Sequence, residues 1–209
     1  MNNCFVLLST TLLLSGASTA FAASSVDLTV QGIITPSACT PSLSSGGVVD
    51  HGKISAKDLK PNDYTLLNDH TLQMSITCDA PTLLALQGVD NRGDAIDPMS
   101  GYGLGLVDGK KLGFYTLALA NATSNGTAIS VLESSDSGLT WRENTPGDVM
   151  PVTYLASFGD RSTGSWAPTP VQNLTSDMKV QTILGPTAGM NLANEIPILG
   201  SATYEVKYL

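Results

Sequence analysis

Thr71-Leu-Gln-Met-Ser-Ile-Thr-Cys78 alternates without a break: Leu72, Met74, Ile76 and Cys78 fall on one side of an extended chain, and Thr71, Gln73, Ser75 and Thr77 on the other. Successive side chains of a β-strand point to opposite faces, so this stretch predicts a strand with one face in a core and one in water. Working outward from it, alternation or short β-rich runs recur at residues 112–119, 127–132, 152–158, 180–184 and 202–208. Between them lie clusters of turn formers: Pro61-Asn62-Asp63, Asp90-Asn91-Arg92-Gly93-Asp94, Asp108-Gly109, Ser124-Asn125-Gly126 and the stretch 157–170. Apart from the short segment 56–59, no window carries an apolar period of about 3.6 residues. Short strands punctuated by Gly- and Asn-containing turns predict an all-β, antiparallel sandwich.

Composition agrees and excludes some functions. The 209 residues include 18 Asp and Glu against 10 Lys and Arg, a net charge of −8, and only 13% of them are charged. That is about half the usual share for a globular domain. Nucleic-acid binding needs clustered Lys and Arg that release counterions from phosphates, and the basic residues here are scattered. At 42% hydrophobic residues, general disorder is excluded too.

The first 22 residues read as a signal peptide. Residues 4–15 form an apolar run too short to span a bilayer, and Ala20-Phe21-Ala22 supplies the small-x-small cleavage pattern, although Met1-Asn2-Asn3 carries no Lys or Arg. Export then decides the state of the cysteines. After cleavage only Cys39 and Cys78 remain, and in an oxidising compartment they are expected to form one disulfide. Closing a loop of about 40 residues stabilises by roughly 3–4 kcal/mol in the chain-entropy model. There is no Cys-x-x-Cys, and His51 and His70 stand at no ligand spacing, so neither a metal centre nor a cofactor is expected.

The two ends carry further alternation. Val26, Leu28, Val30, Gly32 and Ile34 share one face of an extended segment, and Ala202, Tyr204, Val206 and Tyr208 share one face of another, followed by Leu209. On pattern alone, these are either the first and last strands of a self-complete sandwich or strands buried against other chains.

Here the sequence resembles the subunits of chaperone–usher pili, the fimbriae of Gram-negative bacteria. The resemblance rests on Leu28-Thr-Val30-Gln31-Gly32-Ile33-Ile34, on Cys39 seven positions after the glycine, on Cys78 closing a strand, and on the penultimate Tyr208 after alternating apolar residues. It implies an immunoglobulin-like, incomplete, pilin-type β-sandwich over residues 37–209, preceded by a donor-strand extension at 23–36. Val26, Leu28, Val30 and Ile34 would fill the groove of a neighbouring subunit, with Gly32 where that groove is shallow. Ala202, Tyr204, Val206, Tyr208 and Leu209 would line the chain's own groove and be held by a periplasmic chaperone. The implied partners are that chaperone, an outer-membrane usher, neighbouring pilus subunits and a host or surface receptor, and the implied location is the cell surface, reached through the periplasm. The sequence departs from many pilins at Ile196, where they carry a glycine, and in the length of its middle region.

No catalytic residue is expected. Ser134-Ser-Asp136-Ser-Gly138-Leu-Thr140-Trp141 matches the Asp-box of sialidases and other propellers, but a single copy predicts a hairpin turn closed by Asp136 and Gly138. A Ser/His/Asp triad would have to use His51 or His70, which have no supporting context. Arg92-Gly93-Asp94 is a tripeptide of the integrin type in a turn; chance explains it better than adhesion does. Asp90, Asp94 and Asp97 lack the spacing of a calcium loop. Trp141, Trp166 and Tyr102 offer aromatic surface for a glycan, with core or hairpin packing as the simpler use. A fimbrial structural subunit is thus the leading expectation, ahead of a self-complete secreted binding module and, last, a small hydrolase.

Overall fold

The computed structural model describes residues 38–209, together with residues 29 and 31. In chain order its strands are β1 (Cys39–Leu43), β2 (Thr65–Leu66), β3 (His70–Thr82), β4 (Leu84–Asp90), β5 (Tyr102–Gly103), β6 (Leu106–Val107), β7 (Lys110–Lys111) and β8 (Gly113–Ser124). There follow β9 (Thr127–Ala128), β10 (Ser130–Ser134), β11 (Arg142–Glu143), β12 (Leu155–Asp160), β13 (Ala167–Pro168), β14 (Val171–Leu184) and β15 (Ala202–Tyr208). The only helical turns among the described residues are 3-10, at Ser44–Gly47 and Ala56–Asp58.

The strands form an all-β sandwich. One sheet runs β1-β3-β14-β8-β5, with β2 added to β14 and β9 to β8; the other runs β11-β10-β12-β4-β15, with β13 added to β12. Every pairing is antiparallel. The expected face of β3 is the buried one: Leu72, Met74, Ile76 and Cys78 enter a core shared with Leu84 and Leu86 of β4, Leu117 and Leu119 of β8, Phe158 of β12, and Leu174, Met178 and Val180 of β14. Cys39 and Cys78 stand directly opposite each other in the β1–β3 ladder and are joined by a disulfide. That bond fits an oxidising, exported compartment. Among the described residues no helix is long and apolar enough to cross a membrane.

Several boundaries differ from those the periodicity predicts. The stretch 157–170 does not open as a turn, because Ser157–Asp160 completes β12: Phe158 is 1% exposed, and Ser157 Oγ donates to the Leu84 carbonyl at 2.6 Å. The same strand starts at Leu155 rather than 152, because Tyr154 N–H closes a turn onto the Pro151 carbonyl at 3.0 Å. The run 127–132 breaks at Ile129, where the chain passes from β9 in one sheet to β10 in the other. β14 extends back to Val171, and β1 and β4 stand where no strand was expected. In β4, Leu84, Ala85 and Leu86 are all buried, so they read as an apolar run rather than an alternation. Gly88 follows because the Tyr102 hydroxyl lies 2.0 Å from where a Cβ would stand.

Two turns are as expected, and the one segment with a helical period is a single turn. Asp108-Gly109 and Asn125-Gly126 adopt positive φ at both residues, which suits tight hairpins, and the segment 56–59 contains a single 3-10 turn. The Asp-box is also a hairpin: Asp136 accepts from Thr140 N–H at 2.9 Å, Thr140 Oγ1–H at 2.6 Å and Ser134 Oγ–H at 2.7 Å, while Gly138 takes a φ of +92°. These donors hold the Asp136 carboxyl down to about 2.

Candidate functional site

The second sheet stops at β15, whose outer edge pairs with no strand among the described residues. The hydrogen-bond parity of its inner edge follows from its ends, where Leu209 N–H donates to Leu83 O and Asn91 N–H donates to Ser201 O. With the continuous register between them, residues 201, 203, 205, 207 and 209 face β4 through their backbones. The backbone N–H and C=O groups of Ala202, Tyr204, Val206 and Tyr208 therefore point away from β4, along the open edge. The side chains of Ala202, Tyr204 and Val206 point inward against the core, yet each is only half-buried. Tyr208 and Leu209 are exposed, and the Tyr208 hydroxyl accepts the N–H of Cys39 in β1 at 3.0 Å.

Opposite β15 runs the segment 48–54, which joins no ladder and turns through Gly52 at a φ of +61°. Between the two lies an apolar cavity of about 330 Å³, floored by Leu72, Leu117, Met178 and Val180 and bordered by Leu43, Val49 and His51 on one side and by Ile198, Ala202 and Tyr204 on the other. A second cavity, of about 630 Å³, shares Val49, His51 and Ile198 with the first, and a third, of about 330 Å³, shares Ile54, Ile196 and Ile198 with the second. Together they trace one open groove along the sandwich. Val48 at the start of that segment, Leu199 just after Ile198, and Leu209 just past β15 are exposed apolar side chains.

Three features set the groove's polarity. Tyr204 carries its hydroxyl into the interior, where the oxygen is buried within reach of the Tyr102 hydroxyl but makes no well-formed hydrogen bond, and burial pushes its ionisation well above the ordinary tyrosine range. Tyr115 stacks on Tyr102 at 5.2 Å between ring centroids and is likewise raised by burial. Lys53 and Glu195 form an ion pair across the groove mouth at 3.0 Å, with side chains 93% and 90% exposed, which makes it a weak latch.

The chain's two histidines, 19 positions apart in sequence, meet in the wall of this groove: His51 and His70 lie edge to face with ring centroids 4.8 Å apart. His51 Nε2 is 2.9 Å from Thr182 Oγ1 of β14. Sequence spacing held no sign of this meeting, because it depends on the 48–54 segment folding back over the start of β3.

Of the residues expected to act, Ala202, Tyr204, Val206, Tyr208 and Leu209 are gathered on β15 and its end, and Cys39 and Cys78 brace the opposite wall. Val26, Leu28, Val30, Gly32 and Ile34, like the signal peptide, lie outside the described residues. The Arg92-Gly93-Asp94 tripeptide is closed on itself: Arg92 pairs with Asp94 at 3.6 Å, and Asp94 also accepts Gly105 N–H at 3.1 Å. Tyr102 is 1% exposed and belongs to the core, so it contributes to no aromatic platform. No cluster of three or more His, Cys, Asp or Glu suited to a metal ion occurs among the described residues.

The fold and groove thus define an all-β sandwich with one open, apolar edge. In comparisons with known proteins, the family described as "Protein of unknown function (DUF1120)" matches residues 28–104. Over most of its length the chain is also similar to two Escherichia coli (strain K12) proteins. It is 26% identical to "Protein GltF" across 88% of each chain, and 28% identical to "Uncharacterized protein YhcF" across 92% of this chain and 94% of that one.

Proposed function

We propose that this protein is a structural subunit of a chaperone–usher fimbria, assembled by donor-strand exchange and contributing to surface adhesion. The observation that supports this reading is the groove beside β15, where inward apolar side chains and outward backbone polar groups belong to the same residues, Ala202, Tyr204 and Val206. A strand laid along that edge gains a ladder of hydrogen bonds and buries apolar surface in one step. The residues supplied would be Val26, Leu28, Val30 and Ile34 of a second copy, with Gly32 at the shallow point. An extended segment from Val26 to Ile34 spans about 27 Å, enough to run beside the seven residues of β15. Each inserted aliphatic side chain contributes roughly 1.5–3 kcal/mol when fully buried. Before assembly, the same edge would be covered by a periplasmic chaperone and delivered to an outer-membrane usher, which places the finished polymer on the cell surface.

The experiment is to purify the mature chain with residues 23–36 removed and add a synthetic peptide of residues 24–36. The expected result is a 1:1 complex that raises the melting temperature and protects the amides of Ala202, Tyr204 and Val206 from hydrogen exchange. A truncated chain that neither binds the peptide nor needs a chaperone for solubility would overturn the reading. Protection of the same three amides by residues 24–36 within a monomer of the intact mature chain would instead establish the self-complete sandwich.

A further inference from the structure

The reading above assigns no task to the histidine pair. His51 stands in the middle of the 48–54 segment, the groove lip opposite β15, and it lines the first and second of the groove's cavities. Among the described residues, its contact with Thr182 Oγ1 is the one hydrogen bond that ties this lip to the first sheet. Thr182 is 3% exposed, so the imidazole is drawn against a buried hydroxyl, and its edge-to-face partner His70 is fixed at the start of β3 by pairing with Val180.

We infer that His51 and His70 form a proton-sensitive clasp that holds the groove lip closed near neutral pH and releases it in mild acid, so that a strand lying in the groove is exchanged faster there; this rests on the strand-acceptor reading of the groove. An uncharged imidazole pair packs edge to face without penalty, whereas a proton on each puts two cations side by side at 4.8 Å in a half-buried wall.

The surrounding charges do not cancel this. Asp50, on the lip itself, favours the protonated His51, but burial and His70 act against it and prevail, so His51 ionises below the ordinary histidine range. Asp69, beside His70, is committed to Lys179 of β14 at 2.7 Å and to the Gln181 amide at 3.1 Å. Lys53, on the lip, pairs with Glu195 of the facing side at the exposed mouth. Tyr115 and Tyr204, which line the same cavity, are uncharged in this pH range. The sign follows from the lowered value: the closed lip is favoured fully above about pH 6.5, and the preference fades as pH falls below that, because the opened lip takes up the proton first.

The test measures amide hydrogen exchange of residues 47–54 in the full mature chain between about pH 7.5 and about pH 5.5, corrected for intrinsic exchange and with a chelator present. Wild-type protection is expected to fall roughly threefold or more on acidification. His51→Gln is expected to lose that pH response, and His70→Gln, which leaves only burial acting against the His51 proton, to shrink it. A wild-type lip with no pH response, a response undiminished in either folded variant, or one that requires metal and vanishes with the chelator overturns the inference. In parallel, release of a labelled 24–36 peptide from the truncated chain is timed at both pH values. Peptide that binds and leaves at one rate regardless of pH refutes the clasp and spares the acceptor groove. Peptide that never binds, beside a lip that still responds to pH through both histidines, refutes the acceptor reading and leaves the clasp standing.

Discussion

At one edge of the second sheet stands β11, a pair of charged residues, Arg142 and Glu143; at the other stands β15, seven residues long with an alternating apolar face. Short charged edge strands discourage further pairing, and long alternating ones invite it. The β11 edge is finished within its own hairpin: Arg142 pairs with buried Glu133 at 2.6 Å, Asn144 donates to the same carboxylate at 2.8 Å, and the turn before it closes on Asp136. At β15 the charged residues Glu205 and Lys207 pair with each other at 2.7 Å and leave the edge itself uncovered. Two edges of one sheet are thus built to opposite ends. What separates them is length and side chain: two charged residues tied into their own hairpin at β11, and seven residues with an alternating apolar face at β15.

The largest effect is expected at the wall that faces β15. β1 is a five-residue edge strand of the first sheet, and its disulfide to β3 holds it in place just before the lip begins. Replacing both cysteines, Cys39→Ser with Cys78→Ser, is expected to lower the unfolding free energy by about 2–4 kcal/mol in urea titration. Binding of the 24–36 peptide should fall with it. A double-serine protein that unfolds at the wild-type urea concentration would show that the wall is held by its ladder alone.

Proline scanning sharpens the comparison next. Glu205 N–H belongs to the ladder with β4, so Glu205→Pro leaves a partner unpaired and is expected to cost about 1–3 kcal/mol. Ala202 N–H points to the open edge, so Ala202→Pro should cost less in the isolated protein, yet weaken peptide binding by removing a donor that the incoming strand needs. Equal losses for the two prolines would break the parity on which the open edge rests.

At the finished edge the expected effect is smaller and depends on pH. The folded Asp136 carboxyl ionises near 2, below its unfolded value of 3.8, so its stabilisation is complete above about pH 4 and is lost as pH falls through 2. Asp136→Ala should therefore unfold at lower urea than wild type near neutral pH, with the gap narrowing as the solution approaches pH 2. A gap that stays constant down to pH 2 would mean that the carboxylate's three hydrogen bonds do not set the turn's stability.

This contrast also explains what was legible in the sequence. The Asp136 turn, the Asn125-Gly126 hairpin and the alternation of β3 are local: each polar group finds its partner within a few residues, or each side chain falls on a fixed face, so pattern alone suffices. β15 was legible as a strand for the same reason, with the bounds the structure shows. The first half of β14 was not. Its inward positions include Ser176, whose hydroxyl donates to the Ala120 carbonyl at 2.8 Å across a register shift, and no local apolar period marks such a site. β4 was hidden because a strand covered on both faces loses its alternation. The meeting of His51 with His70 needed the fold itself, since it joins a segment without regular structure to the end of a strand.

The smallest expected effect lies at Tyr204, inside the groove. Its hydroxyl is buried beside that of Tyr102 without a well-formed hydrogen bond, and a polar group in that state weakens the fold. Tyr204→Phe keeps the ring against the core while removing that oxygen, so the isolated chain should become more stable, by at most about 1 kcal/mol in urea titration. If the bound strand supplies the missing partner, the same substitution should weaken peptide binding even as it strengthens the empty sandwich. The two measurements then move in opposite directions, which no purely structural role for the hydroxyl would produce. A phenylalanine variant that is less stable than wild type would show that the hydroxyl is already answered, and that at this point the β15 edge is as finished as the β11 edge.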